Sequence, residues 1–375
     1  MVLRVALVSA YPYVPDQITG GIEGVSQNLA RALQQLGDIE VHVVAPGTGR
    51  KPRTESRGGI LIHWINNPRL PGFIGYWTTY RRAVHHCLKT IGPDVAHFQG
   101  IAGWLLGYQG FSVLTVHGIP ERDALFVDKP LAAIRHWTMA AVERAGRKHA
   151  EHLVVINPYV METLGSQIGG RTWFIENPVN QDFFEIAREP VAGRVLYVGR
   201  ISRLKNVAGL IRAFAQVQRK IPGATLHVAG APDSARNYSE CVDEAARQGL
   251  APCVRFLGNI DRQHLAAELS QAQCLALVSL QENAPMVVSE SMAAGVPVVA
   301  SKRCGIPYMV EDGGTGFLVN PLDCDQIAER LLAILENPDL AAAMSRRARE
   351  LALDRYHVHS VASRTREVYR NVLKQ

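Results

Sequence analysis

No apolar run in the 375 residues is long enough to cross a bilayer, so a helical membrane span is not expected. The six cysteines (Cys87, Cys241, Cys253, Cys274, Cys304, Cys324) lack the paired spacing of a zinc site or a disulfide framework, which points to a reducing cytoplasm. Long basic runs are missing too. The net charge is +6 and the pI about 9.0, but the positive residues are scattered, which argues against nucleic acid as a partner. The Gly-x-Gly-x-x-Gly spacing of dinucleotide binding is absent, as are low-complexity segments and short-period repeats. The start, Met-Val-Leu-Arg-Val-Ala-Leu-Val, has too short an apolar stretch and the wrong flanks for a signal peptide. What remains is a chain 47% hydrophobic and 20% charged, long enough for two ordinary globular domains.

Short apolar runs alternate with helical spacing along the whole chain. Strands are predicted at 2–10, 41–45, 60–65, 95–98, 112–116 and 153–156. Between them, Ile22, Val25, Leu29, Leu33 and Leu36 mark a first helix, and helical regions are expected at 71–91 and 130–150. The pattern restarts near Arg194, with strands at 195–198, 225–229, 254–257, 274–280, 296–300 and 316–319. Helices are expected there at 207–220, 241–248 and 264–271, followed by a mostly helical end from Cys324 to Gln375. The polar start of Pro178–Ala192 suits a linker. This is an α/β pattern of two successive doubly wound parallel-sheet units, whose ligands bind at the carboxyl ends of the strands, in a cleft where the two face each other.

The stretch Gln281–Ser301 organises the chemistry. Pro285 is placed near the first helical position, where its missing N–H is no loss, and Gly295 as a left-handed cap. Glu282 lies before this helix and Glu290 on it, beside an end that attracts phosphate. Helical phase sets the two acids apart, so they read as separate acceptors for sugar hydroxyls rather than a catalytic pair. Gly199-Arg200 and Lys205-Asn206 follow a strand and precede a helix, so Arg200 and Lys205 suit a diphosphate clamp or, more plainly, a solvated pair. Gly20-Gly21 allows close backbone approach to a phosphate or forms an ordinary turn. His117, in Thr115-Val116-His117-Gly118, either points into the site from a strand end or packs. The 71–91 region mixes Phe73, Tyr76, Trp77 and Tyr80 with Arg81, Arg82 and Lys89, which fits peripheral contact with an anionic membrane or a solvated face over a packed stripe.

Taken together, these residues resemble the retaining glycosyltransferases of family 4, whose GT-B architecture has two facing Rossmann-like domains. The resemblance covers nearly the whole chain. It rests on Glu282 and Glu290 with seven residues between them, on the following Ser-Met-Ala-Ala-Gly-Val-Pro-Val-Val-Ala-Ser, and on Tyr197-Val198-Gly199-Arg200 with Lys205-Asn206. Asp94-Val95-Ala96-His97, Ile175-Glu176-Asn177-Pro178-Val179-Asn180, Gly305-Ile306-Pro307 and Gly316-Phe317-Leu318-Val319 add to it. It implies domains at 1–180 and 190–358, with a last helix at 359–375 returning to the first domain.

The same resemblance implies that Arg200 and Lys205 hold the donor diphosphate, with backbone N–H groups at Gly21 and around Asn283, Ala284, Met286 and Val287. Glu282 would bind the transferred sugar and Glu290 the ribose. The base would lie near Gly230, Asn259 and Ile260, and His117 near the reacting centre. It implies no metal, no cofactor beyond a nucleoside-diphosphate sugar (UDP or GDP), a hydroxyl acceptor, and work in cell-envelope or polysaccharide biosynthesis. Departures occur at Asn283-Ala284-Pro285, at Tyr308, and at Gln99, where many members have a second His. An epimerase of the same architecture and a non-catalytic nucleotide-sugar binder are the other readings.

Overall fold

A computed structural model describes residues 2–15, 17–18, 20–47, 51–66, 76–123 and 132–374. The chain divides into two compact units, one of residues 1–178 with 356–375 and the other of residues 179–355.

In the first unit the strands are β1 (Leu3–Val8), β2 (Ile39–Pro46), β3 (Arg53–Arg57), β4 (Ile60–Ile65), β5 (Val95–Gln99), β6 (Ser112–Val116), β7 (His152–Val155) and β8 (Arg171–Phe174). They form one sheet in the order β3-β4-β2-β1-β5-β6-β7-β8. All its pairings are parallel except β3 with β4. The central strands are apolar along their length because helices cover both faces: Val5, Leu7, Val41 and Val43 are fully buried. The helix Val358–Val372 completes this core. Its Val361, Ala362, Val368, Tyr369 and Val372 join Leu29 and Leu33 of the helix Gly21–Gln35 in one buried cluster. Arg366 and Arg370 of the same helix pair with Asp38.

The second unit holds β9 (Arg194–Val198), β10 (Thr225–Ala229), β11 (Val254–Gly258), β12 (Cys274–Leu277), β13 (Val298–Ser301) and β14 (Gly316–Val319). They make a wholly parallel sheet in the order β11-β10-β9-β12-β13-β14. Strand order reverses between β9 and β12, and such a switch point is where doubly wound sheets bind ligands.

Several expectations shift. The segment proposed as a linker carries a short helix, Gln181–Phe184, whose Phe183 and Phe184 are buried. It packs on the helix Met286–Ala293, so the second unit begins at Val179 rather than near 190. Pro285 is the N-cap and the helix opens at Met286. The helix expected at 241–248 starts at Ala235, where Ser234 caps it by accepting from Asn237 N. The C-terminal stretch resolves into the helices Cys324–Leu335, Pro338–Tyr356 and Val358–Val372. In the 71–91 region, Phe73 and the side chains of Tyr76 and Trp77 lie outside the described residues, as does the start of the helix expected from 130. The helix Arg81–Ile91 buries Val84, Leu88 and Ile91 and exposes Arg82 and Lys89. Among the described residues no helix is long and apolar enough to cross a membrane.

Candidate functional site

The loop leaving β9 is shaped by its own backbone. Buried Tyr197 donates its hydroxyl to Arg200 O at 2.9 Å, which fixes the turn and leaves the Arg200 side chain exposed. One helical turn, Arg203–Lys205, follows, and Asn206 at φ 54° opens the helix Val207–Lys220. Its amide donates to Pro321 O (2.7 Å) and Val278 O (3.3 Å), stapling this loop to those after β14 and β12. Leu280 N adds a bond to Leu204 O at 2.8 Å. These bonds bring Lys205 against the loop after β12, where its ammonium pairs with the Glu282 carboxylate. The two side chains are only 19% and 11% exposed.

Glu282 is held from behind as well, its carbonyl accepting from Gly305 N at 2.9 Å. Cys304, at φ 57°, donates its thiol to Gln281 Oε1 at 3.0 Å. The helix Met286–Ala293 then begins with no side-chain cap, so its first N–H groups are left for a ligand or water. Its other end is closed: Val296 N bonds Ser291 O (2.8 Å) and Gly295 N bonds Met292 O (3.0 Å), with Gly295 left-handed at φ 73°. Asn283 and Val287 are buried, while Ala284, Met286 and Glu290 are half-buried. Burial pushes the Glu290 carboxyl up to about 7, with Arg262 pulling the other way.

Gly230 follows β10 at φ 139°, and a Cβ there would lie 2.0 Å from Gly199 O. Asn259 is exposed and Ile260 half-buried in the loop after β11, which ends where Asp261 caps the helix Arg262–Gln271 by accepting from His264 N. The residues expected at the donor site in this unit thus sit at the carboxyl ends of four adjacent strands, β11, β10, β9 and β12. Direct contact joins Lys205 and Glu282. Asp323-Cys324-Asp325 has the Asp-x-Asp form of a metal motif, yet Asp323 accepts from Gln326 N as a helix cap and Asp325 accepts from Gln216 Nε2 at 2.6 Å.

In the first unit, Gly20 is the extended N-cap of the helix Gly21–Gln35, with no side-chain cap and open space around the Cβ it lacks. No strain demands glycine at that position, and glycine is a common N-cap residue in its own right. His117 follows β6 and is 9% exposed. Gly100, at φ 82°, lies between Ile22 of that helix and His117: a Cβ on it would meet Ile22 Cδ1 at 3.3 Å and His117 Cδ2 at 3.5 Å. Burial lowers the His117 imidazole to about 4, against the opposing effect of a hydrogen bond that Asn177 accepts. Its Nε2 is 2.6 Å from Gln99 Oε1. That Gly100 and Asn177 lie beside His117 was not foreseen in the sequence, although Asn177 stood in one of the resembling motifs. The other hint was Gly100's position directly after a strand.

Residues 180–351 match the family model described as glycosyl transferases group 1, and residues 19–183 match glycosyltransferase family 4. A D-inositol 3-phosphate glycosyltransferase of Streptomyces scabiei is 35% identical across 98% of this chain and 90% of its own. Among solved structures, sucrose-phosphate synthase from Thermosynechococcus elongatus superposes with a TM-score of 0.84 at 23% identity over 99% of both chains. Anabaena HepE, solved with UDP-glucose, superposes with a TM-score of 0.75 at 18% identity over 98% of this chain and 100% of its own.

Proposed function

The chain belongs to the family 4 glycosyltransferases of GT-B fold, which act on nucleotide sugars, and we propose that it is a retaining, metal-independent member transferring to a hydroxyl acceptor. The observation that carries this is the Lys205–Glu282 pair beside an uncapped helix start at the switch point of the second sheet. A diphosphate arriving there would meet the Lys205 ammonium, the Arg200 guanidinium and the first N–H groups of Met286–Ala293. Glu282 would then accept bonds from the sugar's hydroxyls, and Glu290 from those of the ribose.

In the transfer step, the bond from the sugar's anomeric carbon to the diphosphate oxygen breaks. The acceptor oxygen bonds that carbon on the same face, and its proton passes to the leaving phosphate. Charge grows on the diphosphate, so fixed cations and N–H dipoles aimed at it supply the main catalytic term, where a metal would otherwise serve. His117 is the first unit's candidate for touching the donor sugar or the acceptor. UDP-sugars are the first donors to test, given the ligand of HepE. We place the reaction in the cytoplasm, in cell-envelope or polysaccharide glycan biosynthesis. The buried stripe and exposed cations of Arg81–Ile91 favour a solvated face over a membrane-lying one.

The test is transfer from a panel of nucleotide sugars with the product's anomeric configuration read by proton NMR. Retention, undiminished in excess EDTA, is expected. Inversion or loss of activity on chelation would overturn the corresponding half of the proposal.

Glu290 makes donor affinity depend on pH. Its ionised form accepts the ribose hydroxyls, and burial holds its pKa near 7 instead of 4.5. Donor Kd is therefore expected to rise as pH falls below about 7, by up to roughly tenfold per pH unit. Glu290→Gln should flatten the profile, and a flat profile in the parent enzyme would remove Glu290 from donor binding. The effect on folding has the opposite sign. The raised pKa means that this group's stability contribution is present below 4.5 and lost as pH rises through about 7.

A further inference from the structure

A chain of buried side chains runs from the C-terminal helix to His117. Tyr369, fully buried on Val358–Val372, places its hydroxyl 2.7 Å from His97 Nδ1. The two rings meet edge to face, at 80° with centroids 5.5 Å apart. On the other side of the imidazole, His97 Nε2 is 2.6 Å from Thr115 Oγ1. Gln99 is 1% exposed at the end of β5, and its amide nitrogen lies 3.1 Å from His97 Nε2 and 3.3 Å from His97 Nδ1. Near-equal distances to both ring nitrogens put the N–H over the face of the ring. The amide oxygen points the other way, 2.6 Å from His117 Nε2.

These contacts have a direction. An amide oxygen can only accept, so the hydrogen in the last bond belongs to His117 Nε2. An amide turned over would present N–H instead and force the hydrogen onto Nδ1. His97 prevents that turn by receiving the N–H, and Tyr369 and Thr115 hold His97 by its two nitrogens.

We propose that Gln99 and Tyr369 are positioning residues for His117: through His97 they lock the Gln99 amide in the orientation that keeps His117 as its Nε2–H tautomer with a fixed ring plane. The hydroxyl of Tyr369, on a mostly apolar helix stripe, thereby acts on a candidate reaction-centre residue 252 positions earlier in the chain. Burial holds both imidazoles far below neutral, at about 3 for His97 and about 4 for His117, so neither takes up a proton that would break the chain near pH 7. The inference rests on the reading that His117 serves sugar transfer, and its test begins with a measurement that needs no substrate.

Long-range 1H–15N spectra of the full-length labelled enzyme at pH 7 should show His117 neutral, protonated at Nε2 and bare at Nδ1. Gln99→Met should give a mixture of tautomers, and Tyr369→Phe a smaller shift the same way with a melting temperature near the parent's. In turnover, Gln99→Met should lower kcat roughly 10- to 100-fold with donor KM within about twofold, as expected of a misplaced contact in the transition state. An Nδ1–H tautomer in the parent, or an unchanged His117 spectrum in Gln99→Met, overturns the lock whatever sugar the enzyme transfers. A changed spectrum with unaltered kcat overturns the claim that the lock serves transfer.

Discussion

Lys205→Ala is expected to lower kcat/KM about 10²- to 10³-fold, the loss typical when one preorganised donor to a developing anion is removed. The structure gives two reasons for so large an effect. The ammonium is the cation in contact with Glu282, and both side chains are mostly shielded from water, which strengthens their fields. Removing Lys205 also leaves Glu282 as an unpaired carboxylate close to the place proposed for the diphosphate, adding a repulsion to the lost attraction. The double variant Lys205→Ala with Glu282→Gln should therefore lose less than the sum of the two single losses. Lys205→Arg should recover part of the rate, since it restores charge with a different reach. Some folding stability should be lost as well, up to about 3–5 kcal/mol because Glu282 is left largely buried and unpaired, so the melt must show the variant folded at the assay temperature. Steady-state kinetics with a thermal melt decide the matter. Full activity in Lys205→Ala would sink the donor-site assignment.

That contact shows where sequence reasoning stops. Lys205 and Glu282 were each legible because each follows a buried apolar run, and loops at strand ends carry the chemistry of this architecture. Their pairing was not legible, since the residues are 77 positions apart and meet only because β9 and β12 are neighbours in the sheet. The central strands were readable for a simple reason: burial on both faces demands unbroken Val, Leu and Ala. The two edge strands of the first sheet escaped, while β11 and β14 at the edges of the second were apolar enough to read. β3 reads Arg-Thr-Glu-Ser-Arg and β8 Arg-Thr-Trp-Phe, with solvent-facing positions that erase the apolar signal. Helix starts drifted wherever the first turn was polar and exposed, as at Ala235–Glu240. In the first unit, His97 and Tyr369 carried no sign of a shared bond, because a Tyr in an apolar stripe looks the same with or without a partner for its hydroxyl.

Gly230→Ala should cost the fold at least about 2 kcal/mol and abolish donor binding together with it. Gly230 stands out in the sequence only as a residue near the expected base site, yet the structure shows a demand that precedes any ligand. At φ 139° the backbone is in a region L residues rarely adopt, and the new methyl would sit 2.0 Å from Gly199 O, well inside contact distance. That oxygen cannot move freely, because Gly199 N bonds Ala229 O at 2.9 Å and Gly230 N bonds Gly258 O at 2.7 Å. Relief must displace the Gly199–Arg200 turn, and with it the guanidinium proposed to hold the diphosphate. Gly258→Ala is the control: its φ of 67° also disfavours alanine, but its Cβ would meet open space. The control should lose only about 1 kcal/mol, from backbone conformation alone. Chemical denaturation of the two variants separates the effects. A Gly230→Ala enzyme as stable as its Gly258→Ala counterpart would mean that the two strand-end loops do not approach as closely as described.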